Sequence, residues 1–255
     1  VHGRAAEVVD LPALRKAGVR ADHAALRLPL DGRLTADAAW VLEAWARSAG
    51  VQIRCGVGAT RLDDGDGLVL RLADGSSIEA EAVVLTAGVG ADALHPTLRR
   101  FLPVREQGLV MAGGQHLPPA GRAGQGWTGW RVDGDDVLVS GARWATPHLE
   151  VGETEPVVVD VIQDKLEAFA QRTLGLAGPV QERRVWSVAQ SPDGLPVVGP
   201  MPGDPRIVGC IGFGATPAGL ALAAARSVVD GLVGDADEVP WVLSTRRMVR
   251  WRYGR

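Results

Sequence analysis

The chain has 255 residues, 46% of them hydrophobic, and 27 basic against 30 acidic side chains leave a formal net charge of −3. That balance excludes a disordered chain, and a pI near 6.0 argues against a dedicated nucleic-acid or other polyanion binder. The 33 glycines and 16 prolines suit a turn-rich α/β or α+β protein, large enough for one big domain or two smaller ones.

The N-terminus, Val1-His2-Gly3-Arg4, does not have the form of a signal peptide, and its mid-domain character reads as a truncation point with a further segment upstream. A short helix is predicted over Leu11–Ala17, stopped by Gly18, then an extended segment over Ala24–Leu30 and a turn at Asp31-Gly32. A longer helix runs from Thr35, its N-cap, to Ala49, with Ala38, Ala39, Leu42, Trp45 and Ala46 on one face and Gly50 ending it. Val51–Cys55 alternates like a strand. Leu68–Leu72 and Ser77–Ala80 form two arms around the turn Ala73–Ser76. Ala82–Thr86 is a continuous apolar run that suits a buried parallel strand and ends in the small-residue loop Ala87–Ala91.

The middle of the chain changes character. Leu102–Val110, Trp127–Val132 and Asp136–Ala142 read as antiparallel strands, the last two joined by the hairpin turn Asp133-Gly134-Asp135. A helix is predicted over Glu155–Leu174 with Pro156 in its first turn, and extended chain over Val180–Val188. The last third returns to strand-and-helix alternation: Pro196–Pro200, Arg206–Ile211, the loop Gly212-Phe213-Gly214, and an alanine-rich helix over Pro217–Leu232. No apolar run reaches the length of a membrane span. Cys55 and Cys210 make neither a disulfide framework nor a metal cluster, which points to a reducing, cytoplasmic setting.

The usual catalytic constellations are missing. The five histidines have no metal-ligand spacing, there is no G-x-S-x-G or P-loop, and the acidic clusters at 63–66 and 133–136 sit in turns. Glycine placement carries more. Thr86-Ala87-Gly88 and Gly212-Phe213-Gly214-Ala215-Thr216 each end a strand, and the second opens a helix, where bare N–H groups and the dipole favour an anion or an electron-rich ring.

The run Asp193-Gly194-Leu195-Pro196-Val197-Val198-Gly199-Pro200, then Ile207–Gly214, then the alanine-rich helix, resembles the C-terminal flavin-binding block of the D-amino-acid-oxidase-like FAD-dependent oxidoreductases, the family of glycine oxidase, sarcosine oxidase and bacterial D-amino-acid dehydrogenases. The stretches Asp31–Leu62, Ile78–Gly88 and Ser244–Met248 match in the same order, the last with Met for the usual Phe. The resemblance implies a Rossmann-like FAD-binding domain interrupted by an antiparallel-sheet substrate domain. Residues 1–30 and 99–188 would belong to the substrate domain, and 31–98 and 189–255 to the FAD-binding domain. FAD would be met by Ala59 on the adenine side. Thr86, Ala87 and Gly88 would line its pyrophosphate. Gly194, Leu195 and Pro196, with Gly212, Phe213, Gly214, Ala215 and Thr216, would surround the flavin.

The implied reaction is hydride transfer to flavin from a carbon next to nitrogen in a small amine or amino acid, for which no acid–base residue is assigned. The electron acceptor (oxygen, a quinone or a partner flavoprotein) is left open. Oxidation of a hydroxyl, and a flavin-free binding subunit, stay as alternatives. Two departures bear on this. No G-x-G-x-x-G occurs, since Gly56-Val57-Gly58 is followed by Arg61 where the third glycine belongs. The family's carboxylate-clamping Arg-Pro pair is replaced by Val188-Ala189, so a carboxylate clamp is expected only where Arg131, Arg143 or Arg184 substitutes. Arg131, Arg143 and His148 are the substrate-pocket candidates. Trp127, Trp130 and Trp144 are core residues or pocket walls. Cys210 reads as a buried structural thiol rather than a flavin tether.

Overall fold

The computed structural model describes residues 6–27, 38–124, 127–214, 218–234 and 239–250. In chain order its elements are β1 (Glu7–Val9), α1 (Leu11–Lys16), β2 (Ala25–Arg27), α2 (Ala38–Ser48), β3 (Ala59–Asp64), β4 (Leu68–Leu72), β5 (Ser77–Ala80), β6 (Val83–Leu85), β7 (Leu102–Ala112), β8 (Ala120–Ala123), β9 (Thr128–Asp133), β10 (Asp136–Gly141), α3 (Asp160–Arg172), β11 (Val180–Gln190), β12 (Val197–Pro200), β13 (Ile207–Ile211) and α4 (Ala218–Val233). The expected turn at Asp31-Gly32 and the cap at Thr35 lie outside the described residues. By contacts the chain divides into two compact units. The first is Val1–Val51, Glu106–Glu150 and Glu155–Trp186; the second is Gln52–Arg105, Val151–Thr154 and Ser187–Arg255.

The first unit is built on a five-stranded sheet in the order β11-β7-β10-β9-β8. Leu109, Met111, Val132, Val137 and Val139 share one face and pack against Ile162, Leu166 and Ala170, which lie four apart on α3. Ile162 and Leu166 are at most 1% exposed, and each such burial stabilises by about 1.5–3 kcal/mol. Beside the sheet, β1 and β2 pair antiparallel around α1, whose Asp10 cap accepts the Ala13 N–H at 2.9 Å.

α3 starts five residues later than its pattern suggests. Val157 and Val158 are β-branched and exposed, and the N–H of the cap residue Val159 donates to Gln107 Oε1 at 3.0 Å. The apolar face expected on α2 is not buried: Leu42 and Trp45 are exposed among the described residues.

In the second unit, β3-β4-β5 form an antiparallel sheet. β12-β13-β6 form a mixed one, with β13 parallel to β6 and antiparallel to β12. α4 lies on β12 and β13 through Ala224 and Val228, against Val198 and Val208. A second cluster, including Leu68, Leu85, Leu98, Phe101, Val197, Ile207, Ile211 and Met248, fills the rest.

Two expectations fail here. Val51–Cys55 forms no strand. The pairing with β4 is taken by 59–64, where Ala59 and Leu62 pack on the core, while Val51 stays exposed. The apolar run Ala82–Thr86 is parallel as expected, but β6 is the last strand of its sheet and Val84 is exposed. No described helix is long and apolar enough to cross a membrane.

Candidate functional site

In the second unit, three glycine-bearing segments meet at one end of the β12-β13-β6 sheet. Gly209 stands opposite Leu85 in the parallel pair, so the segments Thr86–Gly88 and Gly212–Gly214 both leave the sheet at the carboxyl end of that pair. Val197 stands opposite Ile211 in the antiparallel pair, which sets Pro196 beside Gly212. The carboxyl ends of β6 and β13 and the start of β12 therefore share one edge, the end of a parallel pair at which α/β folds place ligands. Phe213 forms an isolated bridge to Gln190 and so draws the 212–214 loop toward the chain that leads into Asp193.

The backbone at this edge requires glycine. Gly88, Gly194, Gly212 and Gly214 have φ of +60°, +75°, +83° and +58°. At Gly88, Gly194 and Gly214 an added Cβ would meet nothing within 4 Å, so the backbone there borders open space. At Gly212 it would strike the Phe101 ring at 2.3 Å, so this turn is packed from behind. Bare, accessible amides in left-handed turns are the donor set expected of a site that holds a large anionic cofactor by backbone rather than by basic side chains.

The Asp193–Pro196 loop is locked by a contact across the unit. Arg247 donates from Nε to Asp193 Oδ2 at 2.8 Å and from Nη2 to Asp193 Oδ1 at 3.2 Å. Its Nη2 also donates to the Leu195 carbonyl at 2.6 Å. Asp193 Oδ1 accepts from Ser191 Oγ and from the Leu195 N–H as well. The guanidinium is 4% exposed, a planar fork on a carboxylate with its remaining donors used on carbonyls. In the sequence Asp193 and Arg247 stand out only as members of the Asp193–Pro200 and Ser244–Met248 motifs. The signal was an acid in a tight Asx-type turn.

The other candidates are placed as follows. Thr86 and Ala87 are exposed and Gly88 half-buried at the shared edge. Leu195 is exposed and Pro196 buried. Ala59 opens β3 opposite Leu72, in the other sheet of the unit, rather than following a strand over 51–55. Ala215 and Thr216 lie outside the described residues. Cys210 is half-buried on the α4 side, and burial pushes its thiol up, which suits the structural role. No cluster of three metal-ligating side chains occurs among the described residues.

Arg131, Arg143 and His148 belong to the first unit. Arg143 donates to Glu106 Oε1 at 2.6 Å and lies 5.5 Å above the Trp127 ring. Arg131 projects from β9, its buried Nε without a hydrogen-bond partner among the described residues. His148 is exposed in the turn 147–149 and is not drawn to either arginine by a bond. Arg184 is spent on Glu182 at 2.6 Å, an exposed pair. Trp130 packs on the α3 core, 6.3 Å from Phe169, while Trp127 and Trp144 are exposed. Glu106, which has no sequence signature, is the residue missed in this unit.

A family model described as FAD dependent oxidoreductase matches residues 2–230. No curated protein matches the chain. Among solved structures, glycine oxidase from Geobacillus kaustophilus is 18% identical, with a TM-score of 0.72 over 93% of this chain and 65% of its own. Glycine oxidase from Bacillus cereus is 14% identical, with a TM-score of 0.76 over 92% and 66%. L-proline dehydrogenase from P. horikoshii is 12% identical, with a TM-score of 0.81 over 97% and 70%. The chain thus spans just under two thirds of the length of the glycine oxidases it resembles, and at these identities the likeness is one of fold.

Proposed function

The chain belongs to the FAD-dependent oxidoreductase family, and from that premise we propose that it takes part in oxidising the C–N bond of a small amine or amino acid. The observation that carries the reading is the meeting of Gly88, Gly194–Pro196 and Gly212–Gly214 at one sheet end, each segment with a left-handed glycine and with open space beside Gly88, Gly194 and Gly214. FAD, when bound, supplies the hydride acceptor. The residues that would hold it are those same glycines with Thr86, Ala87, Leu195, Pro196 and Phe213, through backbone amides. Arg247 and Asp193 keep the 193–196 segment in one conformation, so that a group placed against it meets a fixed surface rather than a mobile loop.

On this reading the second unit is the cofactor-holding part and the first unit the substrate-reading part. The dry, polar patch around Glu106 and Arg143 supports that division. The glycine oxidase and proline dehydrogenase among the structural neighbours favour an amine or amino acid over a hydroxyl substrate. The test is direct. The purified full-length protein is denatured and its supernatant examined for flavin absorbance, and the native protein is then mixed anaerobically with amines, amino acids and alcohols. Bleaching by amines or amino acids supports the reading. A colourless protein, or bleaching by alcohols alone, sinks it.

A further inference from the structure

The five-stranded sheet has one face under α3 and one that α3 does not cover. Because Leu109, Met111, Val137 and Val139 face α3, strand alternation turns Glu106 and Gly108 of β7, Ser140 of β10 and Gly129 of β9 to the other side. Gly108, Ser140 and Gly129 stand at one level across three neighbouring strands. A Cβ at Gly108 would come within 3.2 Å of the Trp186 ring, and one at Gly129 within 3.3 Å of the Arg122 stem. These small residues make a trough walled by Trp186 and Arg122, with Glu106 at its head.

Glu106 is 6% exposed. Arg143 bonds one of its carboxylate oxygens, and no described residue hydrogen-bonds the other. That second oxygen is not itself a buried, unpartnered atom, so it is reachable and open to a ligand's donor. The chain also bends unusually to supply its partner. Ala142 is the one described non-glycine residue with positive φ, at 56°, and it is 1% exposed. Before it, Gly141 has φ +112°, and a Cβ there would lie 2.1 Å from the Trp127 carbonyl oxygen, to which the Ala142 N–H donates at 2.9 Å. This left-handed pair throws Arg143 back onto Glu106 and over Trp127. Strain of this kind, built around one ion pair, points to a task for the pair.

The charges that act on Glu106 are Arg143, Arg122 and Glu150. Arg143 is matched by Glu106 itself, and strand alternation places Arg131, with its unpartnered Nε, on the same face as Gly129, so the patch offers groups of both signs. It suits a dipolar ligand better than a simple cation or anion.

We propose that Glu106 recognises the amine of a small zwitterionic substrate: its unbonded oxygen accepts from the ammonium of a ligand lying on the Gly108–Ser140–Gly129 floor, and Arg143 is the positioning residue that aims it. This rests on the reading of the chain as an amine or amino-acid oxidoreductase.

The test is calorimetric titration of the full-length holoprotein with three pairs: glycine and propionate, alanine and isobutyrate, proline and cyclopentanecarboxylate. Each pair differs in the amine alone. At least one zwitterion is expected to bind about tenfold more tightly than its partner. Glu106→Gln removes that preference, a loss of about 1.4 kcal/mol, and leaves the amine-free ligand within about twofold. Glu106→Asp keeps part of the preference, which a merely structural carboxylate would not predict. Equal affinity within every pair, or a Gln variant that weakens both members alike or neither, overturns the proposal; the first comparison needs no variant to fold. Absence of flavin, or failure of amines to bleach it while zwitterion preference persists, counts against the oxidoreductase reading instead and leaves Glu106 in its role.

Discussion

Arg247 and Asp193, fifty-four residues apart, meet as a two-point pair that also hands one N–H to the Leu195 carbonyl. The closing segment of the chain thereby fixes the conformation of a glycine turn at the proposed cofactor edge.

Arg247→Met is expected to cost about 2 kcal/mol in urea unfolding, because it strands a partly buried carboxylate and a carbonyl at once. It should also lower flavin retained through gel filtration. Arg247→Lys should recover little of either, since an ammonium cannot serve both oxygens of Asp193 and the carbonyl from one plane. Full flavin retention in both variants would break the link between the pair and the site.

Gly212 and Gly214 separate two costs of replacing a left-handed glycine. Gly214→Ala adds backbone strain alone, about 1–2 kcal/mol, because nothing lies near its new Cβ. Gly212→Ala adds the same strain and a collision with Phe101, so it should lower the melting temperature further. Phe101→Leu in the Gly212→Ala background should return part of the difference in a double-mutant cycle, while in the Gly214→Ala background it should be additive.

His95 gives the fold an acid-side limit. Burial holds its imidazole below the usual 6.5, opposed in part by Asp64 and by a bond to the Pro202 backbone. Its Nδ1 accepts the Thr97 N–H at 3.3 Å and caps the turn Pro96–Arg100, so that nitrogen must stay unprotonated. The folded value lies below the unfolded one, so the unfolded chain binds more protons. The contribution is therefore complete above about pH 6.5 and is lost as pH falls toward the folded value. Denaturant titrations between pH 5 and 8, a window of about three units around the ordinary histidine range, should show this slope. His95→Asn, which keeps a cap acceptor without a titrating ring, should flatten it.

Glu106 acts in the opposite sense. Burial pushes its carboxyl up, with Arg143 pulling it down and Glu150 adding to the rise. Here the folded state holds the proton more tightly. The associated stability is present below the ordinary carboxylate range and is lost as pH rises through the raised folded value. The stability of the native protein relative to Glu106→Gln should therefore decline across that interval and level off above it. A constant difference at every pH would mean that the carboxyl titrates as it does in the unfolded chain.

Most of the secondary structure was legible because its signals are local. The stop at Gly18, the Asp133–Asp135 hairpin and the paired arms Leu68–Leu72 and Ser77–Ala80 each lie within one turn or one strand pair. The misreadings share one physical origin. Val51–Cys55 alternates well but has no partner, and pairing is decided by which segment also packs a core, here 59–64. Residues 155–159 carry a first-turn proline, yet the helix waits for the Gln107 bond at Val159. The glycine loops of the candidate site could be read from sequence because left-handed turns restrict residue type. Glu106 could not: its importance lies in burial, in a partner 37 residues away and in a strained alanine, none of which leaves a local pattern.

The parallel pairing of Val83 with Ile207 also sets an order of events. During synthesis, β6 leaves the ribosome about 120 residues ahead of the strand that completes it, a delay of roughly 6–25 s at ordinary elongation rates. The antiparallel hairpins of β8, β9 and β10 have all their partners by residue 141 and can close in the meantime. For that interval the edge of Val83–Leu85 that β13 will take is open. The vulnerable moment in making this protein therefore falls between residues 85 and 207, and a chain stalled there should depend on chaperones more than one stalled after β13.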